Sequence, residues 1–345
     1  MAILITGGAG YIGAHICVEL LHEGYDIVVV DNFSTSNLEG LNRVKYITGK
    51  SFKVYNLDIT DSDKIRQLFS KESIDSVIHL AGYKSVSEST ATPLKYYANN
   101  IAGTITLCEV MQEFGVKRLV FSSSATVYAP SNHDGPISED HPLGAINPYG
   151  QTKEIIEGIL RNLYLSDQTW SIRILRYFNP VGAHESGQIG ENPKGIPNNL
   201  MPYIAKVAGG ELPVLSVYGS DYPTKDGTGI RDYIHVVDLA RGHLHALKAA
   251  EASEEIDMFN LGTGRGYSVL EMVEAFERAS GRSVPYILAP RRKGDTAICY
   301  ADVSKAKKKL GWEAKKGINQ MCHDAWQWDR RKHGSGSAGT VLLLP

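Results

Sequence analysis

Tyr149 and Lys153 stand four residues apart in Tyr149-Gly-Gln-Thr-Lys153. On a helix, positions i and i+4 share a face, which sets the ammonium beside the phenol. A free tyrosine has a pKa of roughly 10 and is a poor base at neutral pH. A neighbouring cation favours the phenolate and brings proton transfer within reach. The spacing alone decides little, because Tyr46-Ile-Thr-Gly-Lys50 shares it and the chain holds 18 tyrosines. Gly49 and the β-branched Ile47 and Thr48 oppose a helix there, so Tyr46 is expected in a loop. What sets Tyr149 apart is its context. The run Ser122-Ser-Ser124-Ala-Thr-Val-Tyr128 follows an apolar strand upstream of it. A serine at a strand's carboxyl end can donate to a substrate oxygen and share a proton with a phenolate. Ser124, Tyr149 and Lys153 are the candidate catalytic set.

These residues need a scaffold, and the chain predicts one. Apolar strands at residues 2–6, 26–31, 52–58, 76–80, 118–122 and 170–177 alternate with helical patterns at 11–21, 62–70, 93–114 and 149–164. Such alternation predicts an α/β fold, a Rossmann-type doubly wound parallel sheet that binds ligands at the strands' carboxyl ends. The sheet domain is expected over 1–179. After Asn179 glycine and proline cluster, and 180–333 is expected to form a smaller mixed α/β lobe, some of whose segments return to the sheet. The Gly/Ser-rich stretch 334–345 reads as an appended tail outside the fold.

Gly7-Gly-Ala-Gly10-Tyr11-Ile12-Gly13 lies between the first strand and the first helix. Glycines let the backbone approach a pyrophosphate, and the helix N-terminus supplies amide donors and positive potential. The second strand ends in Asp31, which can accept from ribose hydroxyls and would repel a 2′-phosphate. Asn32 follows, with no arginine close by, so NAD is expected rather than NADP. Asp58, ending the third strand, is placed to meet adenine or, equally, to sit solvated.

Composition excludes other classes. The 345 residues are 43% hydrophobic and 21% charged, enough core for two lobes. A net charge of −2 gives no nucleic-acid footprint. No run of 18 apolar residues marks a membrane span, and the N-terminus enters a strand without the basic segment of a secretion signal. Cys17, Cys108, Cys299 and Cys322 are too dispersed for a zinc site or disulfide framework, so reduced thiols in the cytoplasm are expected. His243-Leu-His245 falls in a predicted helix, where i and i+2 point apart, so no metal is expected.

The glycine loop, the serine run and Tyr149-x-x-x-Lys153 resemble the extended short-chain dehydrogenase/reductase family. Arg176-Tyr-Phe-Asn-Pro-Val-Gly-Ala-His184, Gly195-Ile-Pro-Asn-Asn-Leu-Met-Pro202, Asp226-Gly-Thr-Gly-Ile-Arg-Asp-Tyr-Ile-His235 and Ala289-Pro-Arg-Arg-x-Gly-Asp295 are similar to the UDP-glucose 4-epimerases within it. The resemblance implies retained NAD, UDP-hexose substrates, a homodimer built on helices near 93–114 and 150–165, and inversion at C4 through a transient 4-keto sugar. It places Ile59, Leu80, Ala81, Lys84, Asn99 and Tyr177 at the cofactor, with Lys84 near the nicotinamide ribose. Asn179, Asn199 and Leu200 fall near the sugar and diphosphate, Arg231, Tyr233 and Arg292 at the UDP, Leu215, Ser216 and Tyr218 at the uracil, and Asp295 at the uridine ribose. Arginine geometry suits a diphosphate. Cys299 falls beside the hexose, where some relatives carry a tyrosine and reject N-acetylated sugars; a cysteine there implies room for an acetamido group. Ala129 stands where the family usually has glycine. A sugar-nucleotide 4,6-dehydratase would need an Asp-Glu pair where this chain has Ala125 and Thr126. A UDP-glucuronate decarboxylase, or an idle NAD-binding regulator, are further alternatives, the last opposed by the intact Ser124, Tyr149 and Lys153.

Overall fold

The computed structural model describes residues 1–130, 135–193, 195–292 and 294–334. The tail from 335 onward lies outside them. The first half runs β1 (Ala2–Thr6), α1 (Tyr11–His22), β2 (Ile27–Asp31), α2 (Leu38–Thr48), β3 (Lys53–Asn56), α3 (Ser62–Lys71) and β4 (Ile74–His79). It continues through α4 (Val86–Ala91), α5 (Pro93–Tyr96), a π-helical stretch at Tyr97–Ala102, α6 (Gly103–Glu113), β5 (Arg118–Ser124), α7 (Pro148–Ser166) and β6 (Ser171–Tyr177). The second half holds β7 (Asn179–Val181), α8 (Leu200–Ala208), β8 (Leu215–Tyr218), β9 (Ile230–His235), α9 (Val236–Ala252) and β10 (Ile256–Leu261). It ends with β11 (Gly266–Ser268), α10 (Val269–Ser280), β12 (Tyr286–Ala289), β13 (Ile298–Cys299) and α11 (Ile318–Gly334).

Seven parallel strands form the main sheet in the order β10-β6-β5-β4-β1-β2-β3. The order reverses between β1 and β4, which opens a crevice at their carboxyl ends. Strands such as β2 and β6 are buried along their whole length, which is why they read as continuous apolar runs. One core lies between the sheet and α1 and α9; a second, on the opposite face, gathers residues of α3, α6 and α7. The returning strand is β10, which pairs with β6 from Ile256 to Leu261. The lobe has its own core around Ile204, Val217, Tyr233, Met272 and Phe276. No helix of the described residues is long and apolar enough to cross a membrane.

Two expectations change. Tyr46 lies in α2, not in a loop. Asn37 caps the helix by accepting from Glu39 N, and Gly49 ends it in the left-handed conformation at φ 66°. Burial of Leu41 and Val44 outweighs the weak propensity of Ile47 and Thr48. Lys50 falls beyond the cap and Tyr46 is exposed, so the two form no pair on a face. The helix expected over 93–114 is interrupted by the π-helical stretch, a feature frequent at functional sites, at Asn99 and Asn100.

Behind β5 lies a charged network. Arg176 on β6 donates to both carboxylate oxygens of Glu157 on α7, at 3.0 and 2.6 Å, and both side chains are 1% exposed. Ser123 Oγ donates to Glu157 at 2.5 Å, and Arg176 also reaches Tyr128 Oη and the Glu139 carbonyl. Removing one partner of such a pair strands a buried charge. Glu157→Ala should therefore cost about 3–5 kcal/mol of unfolding free energy, read from the shift in urea midpoint.

Candidate active site

The glycine loop is built by close approaches. Gly7 adopts φ +73°, and a Cβ there would meet Ala81 N at 2.8 Å. A Cβ on Gly13 would sit 2.4 Å from the Gly7 carbonyl oxygen. These two glycines fold the loop onto itself and onto β4. Gly10 is different: its Cβ would touch only the Gly7 carbonyl oxygen, at 3.3 Å, leaving the N-terminus of α1 open to a ligand. Tyr11 Oη donates to the Gly182 carbonyl at 2.7 Å, tying the loop to the lobe, and Ile12 packs on the first core.

Asp31 is 8% exposed and accepts from Ala9 N at 3.0 Å, Phe33 N at 2.9 Å and Ser36 Oγ at 2.7 Å. A carboxylate offers about four acceptor sites, so one remains for a ribose hydroxyl. The turn is strained: Phe33 has φ 55° without being glycine. Asn32 Nδ2 donates to Asp58 Oδ2 at 2.8 Å. Burial acts to raise the Asp58 pKa, but hydrogen bonds from Thr60 and Asn32 outweigh it and hold the carboxyl below its usual range. Ile59 is buried beside it. The cradle and the acid at the end of β2 fit an adenine dinucleotide with a free 2′-hydroxyl.

At the end of β4, Leu80 N donates to the Thr6 carbonyl and Ala81 N to Thr6 Oγ1. His79, buried and held neutral with its pKa lowered to about 3 by burial and then by the Lys153 charge, links Thr6 Oγ1 to Thr104 Oγ1. Asn99 donates to Asn100 Oδ1 at 2.9 Å. Asn100, 2% exposed, brackets Tyr83 by accepting from its N and donating to its O, and also donates to Thr152. The sequence reading missed Asn100; two adjacent asparagines inside a helical run, poor helix formers both, were the available signal.

Tyr149 opens α7, where Asn147 accepts from Gly150 N and Pro148 occupies the first turn. Gly150 is required: a Cβ would meet the Thr126 carbonyl oxygen at 2.6 Å. That close approach brings Tyr149 to Ser124, whose hydroxyl hydrogen-bonds the phenol. Ser124 Oγ also accepts from Thr126 N and Oγ1. Burial raises the Tyr149 pKa above its usual value, and the bond to Ser124 works against it. Lys153 is 5% exposed, with Nζ 2.7 Å from the Ser122 carbonyl and 4.8 Å from the Phe121 ring centroid. Burial lowers its pKa to about 8, and Glu157 opposes this. The ammonium itself donates to the Ser122 carbonyl.

Tyr177 pairs in register with Ser124, but its side chain lies in the first core with Oη bonded to His243. The other histidine of that pair, His245, meets the Leu310 carbonyl instead. Across the crevice, the lobe residues lie as follows. Asn179 begins β7 and is exposed; Asn199 caps α8, with Leu200 as its first residue. Leu215 and Tyr233 turn their side chains into the lobe core, where burial pushes the Tyr233 pKa up to about 12, while Ser216 is partly buried. Tyr218 is 39% exposed with Arg292 stacked 4.1 Å over its ring. Arg231 and Asp295 face each other at 3.7 Å. Cys299 of β13 pairs with Arg231 of β9 and packs, partly buried, beside the Val127–Phe178–Ala301 cluster. Lys84 and Asn199 meet on one carboxylate, Glu191, at 3.3 and 2.6 Å. No group of three or more ligating side chains that could hold a metal occurs among the described residues.

The Lys153 pKa has a sign that can be measured. A folded pKa near 8, below the usual 10.5, means that the buried charge costs stability in full below pH 8. That cost is relieved as pH rises from 8 to 10.5. Relative to Lys153→Met, the wild-type unfolding free energy should gain on the order of 3 kcal/mol across that window. Chemical denaturation at several pH values measures it.

Comparison with known proteins agrees with this geometry. Residues 3–262 match the NAD dependent epimerase/dehydratase family. The chain is 62% identical to a UDP-glucose 4-epimerase of Bacillus subtilis (strain 168) over 328 residues, 95% of this chain and 96% of that protein. A UDP-glucose 4-epimerase structure from Stenotrophomonas maltophila, with bound NAD and formylated UDP-arabinopyranose, superposes with TM-score 0.95 at 48% identity, covering 97% of this chain and 99% of that one. One from Bifidobacterium longum, in complex with NAD+ and UDP, gives TM-score 0.93 at 51% identity over 96% and 99%. A crevice that opens at the sheet's order reversal, with Ser124, Tyr149 and the buried Lys153 on its wall, is thus accounted for by descent: this chain belongs to the NAD dependent epimerase/dehydratase family.

Proposed function

We propose that the protein interconverts UDP-glucose and UDP-galactose by inverting C4 of the hexose. The observation that carries this is the Ser124–Tyr149 contact at the carboxyl end of β5, facing a lobe that presents Arg231, Arg292, Tyr218 and Asn199. Tyr149 takes the proton of the sugar 4-hydroxyl as its phenolate, and Ser124 donates to the same oxygen. Lys153, anchored at the Ser122 carbonyl, supplies positive charge to this wall of the crevice. NAD held on the glycine loop supplies a hydride acceptor for C4 and the hydride's return. Tyr149 then gives its proton back to the 4-oxygen, so one phenol serves both directions. The two arginines hold the diphosphate while the hexose, with few fixed partners, turns its other face. Ala125 and Thr126 offer no acid–base pair, which disfavours a dehydratase.

The thiol of Cys299, beside Val127 and Phe178, is far smaller than a phenol ring, and we extend the substrate range to N-acetylated UDP-hexoses. The same reading includes a homodimer, since α5, α6 and α7 expose Leu94, Ile105, Ile155 and Leu165, with Phe114 exposed just after α6. Cytoplasmic residence accords with four free cysteines.

Purified protein without added cofactor should turn over UDP-galactose. Tyr149→Phe should lower kcat by about 10²–10⁴-fold while NAD stays bound; full activity in that variant would sink the mechanism. Cys299→Tyr should abolish turnover of UDP-N-acetylgalactosamine and spare UDP-galactose, by coupled assay on each sugar. Light scattering should give twice the chain mass.

A further inference from the structure

Glu191 lies outside every element described as catalytic or ligand-binding, yet its carboxylate meets side chains from both sides of the crevice. Its Oε1 accepts from Lys84 Nζ, on the loop after β4, at 3.3 Å, and from Asn199 Nδ2, at the cap of α8, at 2.6 Å. The carboxylate is 11% exposed, and its charge is felt by the phenol of Tyr11 in the glycine loop. Three groups assigned to two different ligands therefore surround one acceptor.

The backbone that carries Glu191 is fixed from behind. Its carbonyl accepts from Trp328 Nε1 at 3.0 Å. Gly190 lies flat against the Trp328 ring, where a Cβ would meet Cγ at 2.5 Å. Arg43 of α2 stacks over that ring at 5.1 Å and donates to the Gln188 carbonyl at 2.9 Å. A side chain presented by so many constraints is not a loose surface acid. Its ion pair with Lys84 adds little stability, because the lysine is 62% exposed. What the arrangement can do is orient: a carboxylate has acceptor sites for both donors at once, and a neutral amide oxygen serves Asn199 but holds a lysine weakly.

We propose that Glu191 is a positioning residue that couples the cofactor side of the crevice to the substrate side, holding Lys84 for the dinucleotide and Asn199 for the UDP-hexose. This rests on the function proposed above. Glu191 orients both side chains from one point, so loss of the carboxylate loosens both ligands together, whereas loss of its charge alone loosens the cofactor side.

The test uses the holoenzyme, with UDP as the titrant in calorimetry and cofactor content measured after gel filtration. Glu191→Ala should weaken UDP roughly tenfold, raise KM more than it lowers kcat, and shed NAD. Asn199→Ala added to it should weaken UDP no further. Glu191→Gln, which keeps the Asn199 contact, should bind UDP near the wild-type level yet still shed NAD. Additive effects of Glu191→Ala and Asn199→Ala, or a Glu191→Ala protein that keeps both ligands as the wild type does, would overturn the coupling. If the wild type itself binds no UDP, the function proposed above falls as well.

Discussion

Two opposite charges, Arg176 and Glu157, are buried between the sheet and α7, and taking both from water is tolerated because every strong donor finds an acceptor. The pair does more than balance charge. Glu157 sits one helical turn past Lys153, itself one turn past Tyr149, so fixing Glu157 on β6 fixes the whole face of α7 that looks into the crevice. Ser123 joins the same carboxylate from β5, next to Ser124. The phenol and its serine partner are thus set by one electrostatic anchor lying behind both.

The burial that positions these groups also sets their proton affinities. Tyr149 is raised by burial, which in isolation works against its use as a base. Lys153 is lowered to about 8 by the same burial, against the opposing charge of Glu157. Positive charge arriving with a ligand would favour the phenolate.

Much of this was legible in the sequence, for reasons that differ by residue. β1, β2, β4, β5 and β6 are buried along most of their length and announce themselves as apolar runs, and Gly7 and Gly13 mark a loop whose close approaches need them. The i, i+4 spacing of Tyr149 and Lys153 survives because Asn147 and Pro148 start the helix just before it. Tyr46 was misread because local propensity ignores tertiary burial of Leu41 and Val44. That Lys153 turns to the Ser122 carbonyl, that Asn100 brackets Tyr83, and that Glu191 meets both Lys84 and Asn199 are facts of three-dimensional adjacency between distant segments. No periodicity encodes them.

The strand that closes the sheet beside β6 is β10, and the whole of residues 178–255 is made between the two. A chain emerging from the ribosome cannot complete the dinucleotide sheet from its first half alone. Until Ile256–Leu261 arrives, β6 has a bare edge with unpaired amides and carbonyls, the template that nascent chains most readily pair with wrongly. Its Arg173 waits as well, since its partners at Ala249, Ser253 and Glu255 belong to the same late segment. The order of synthesis therefore makes the last strand a gatekeeper, and truncation before it leaves an aggregation-prone fragment rather than a small cofactor-binding domain.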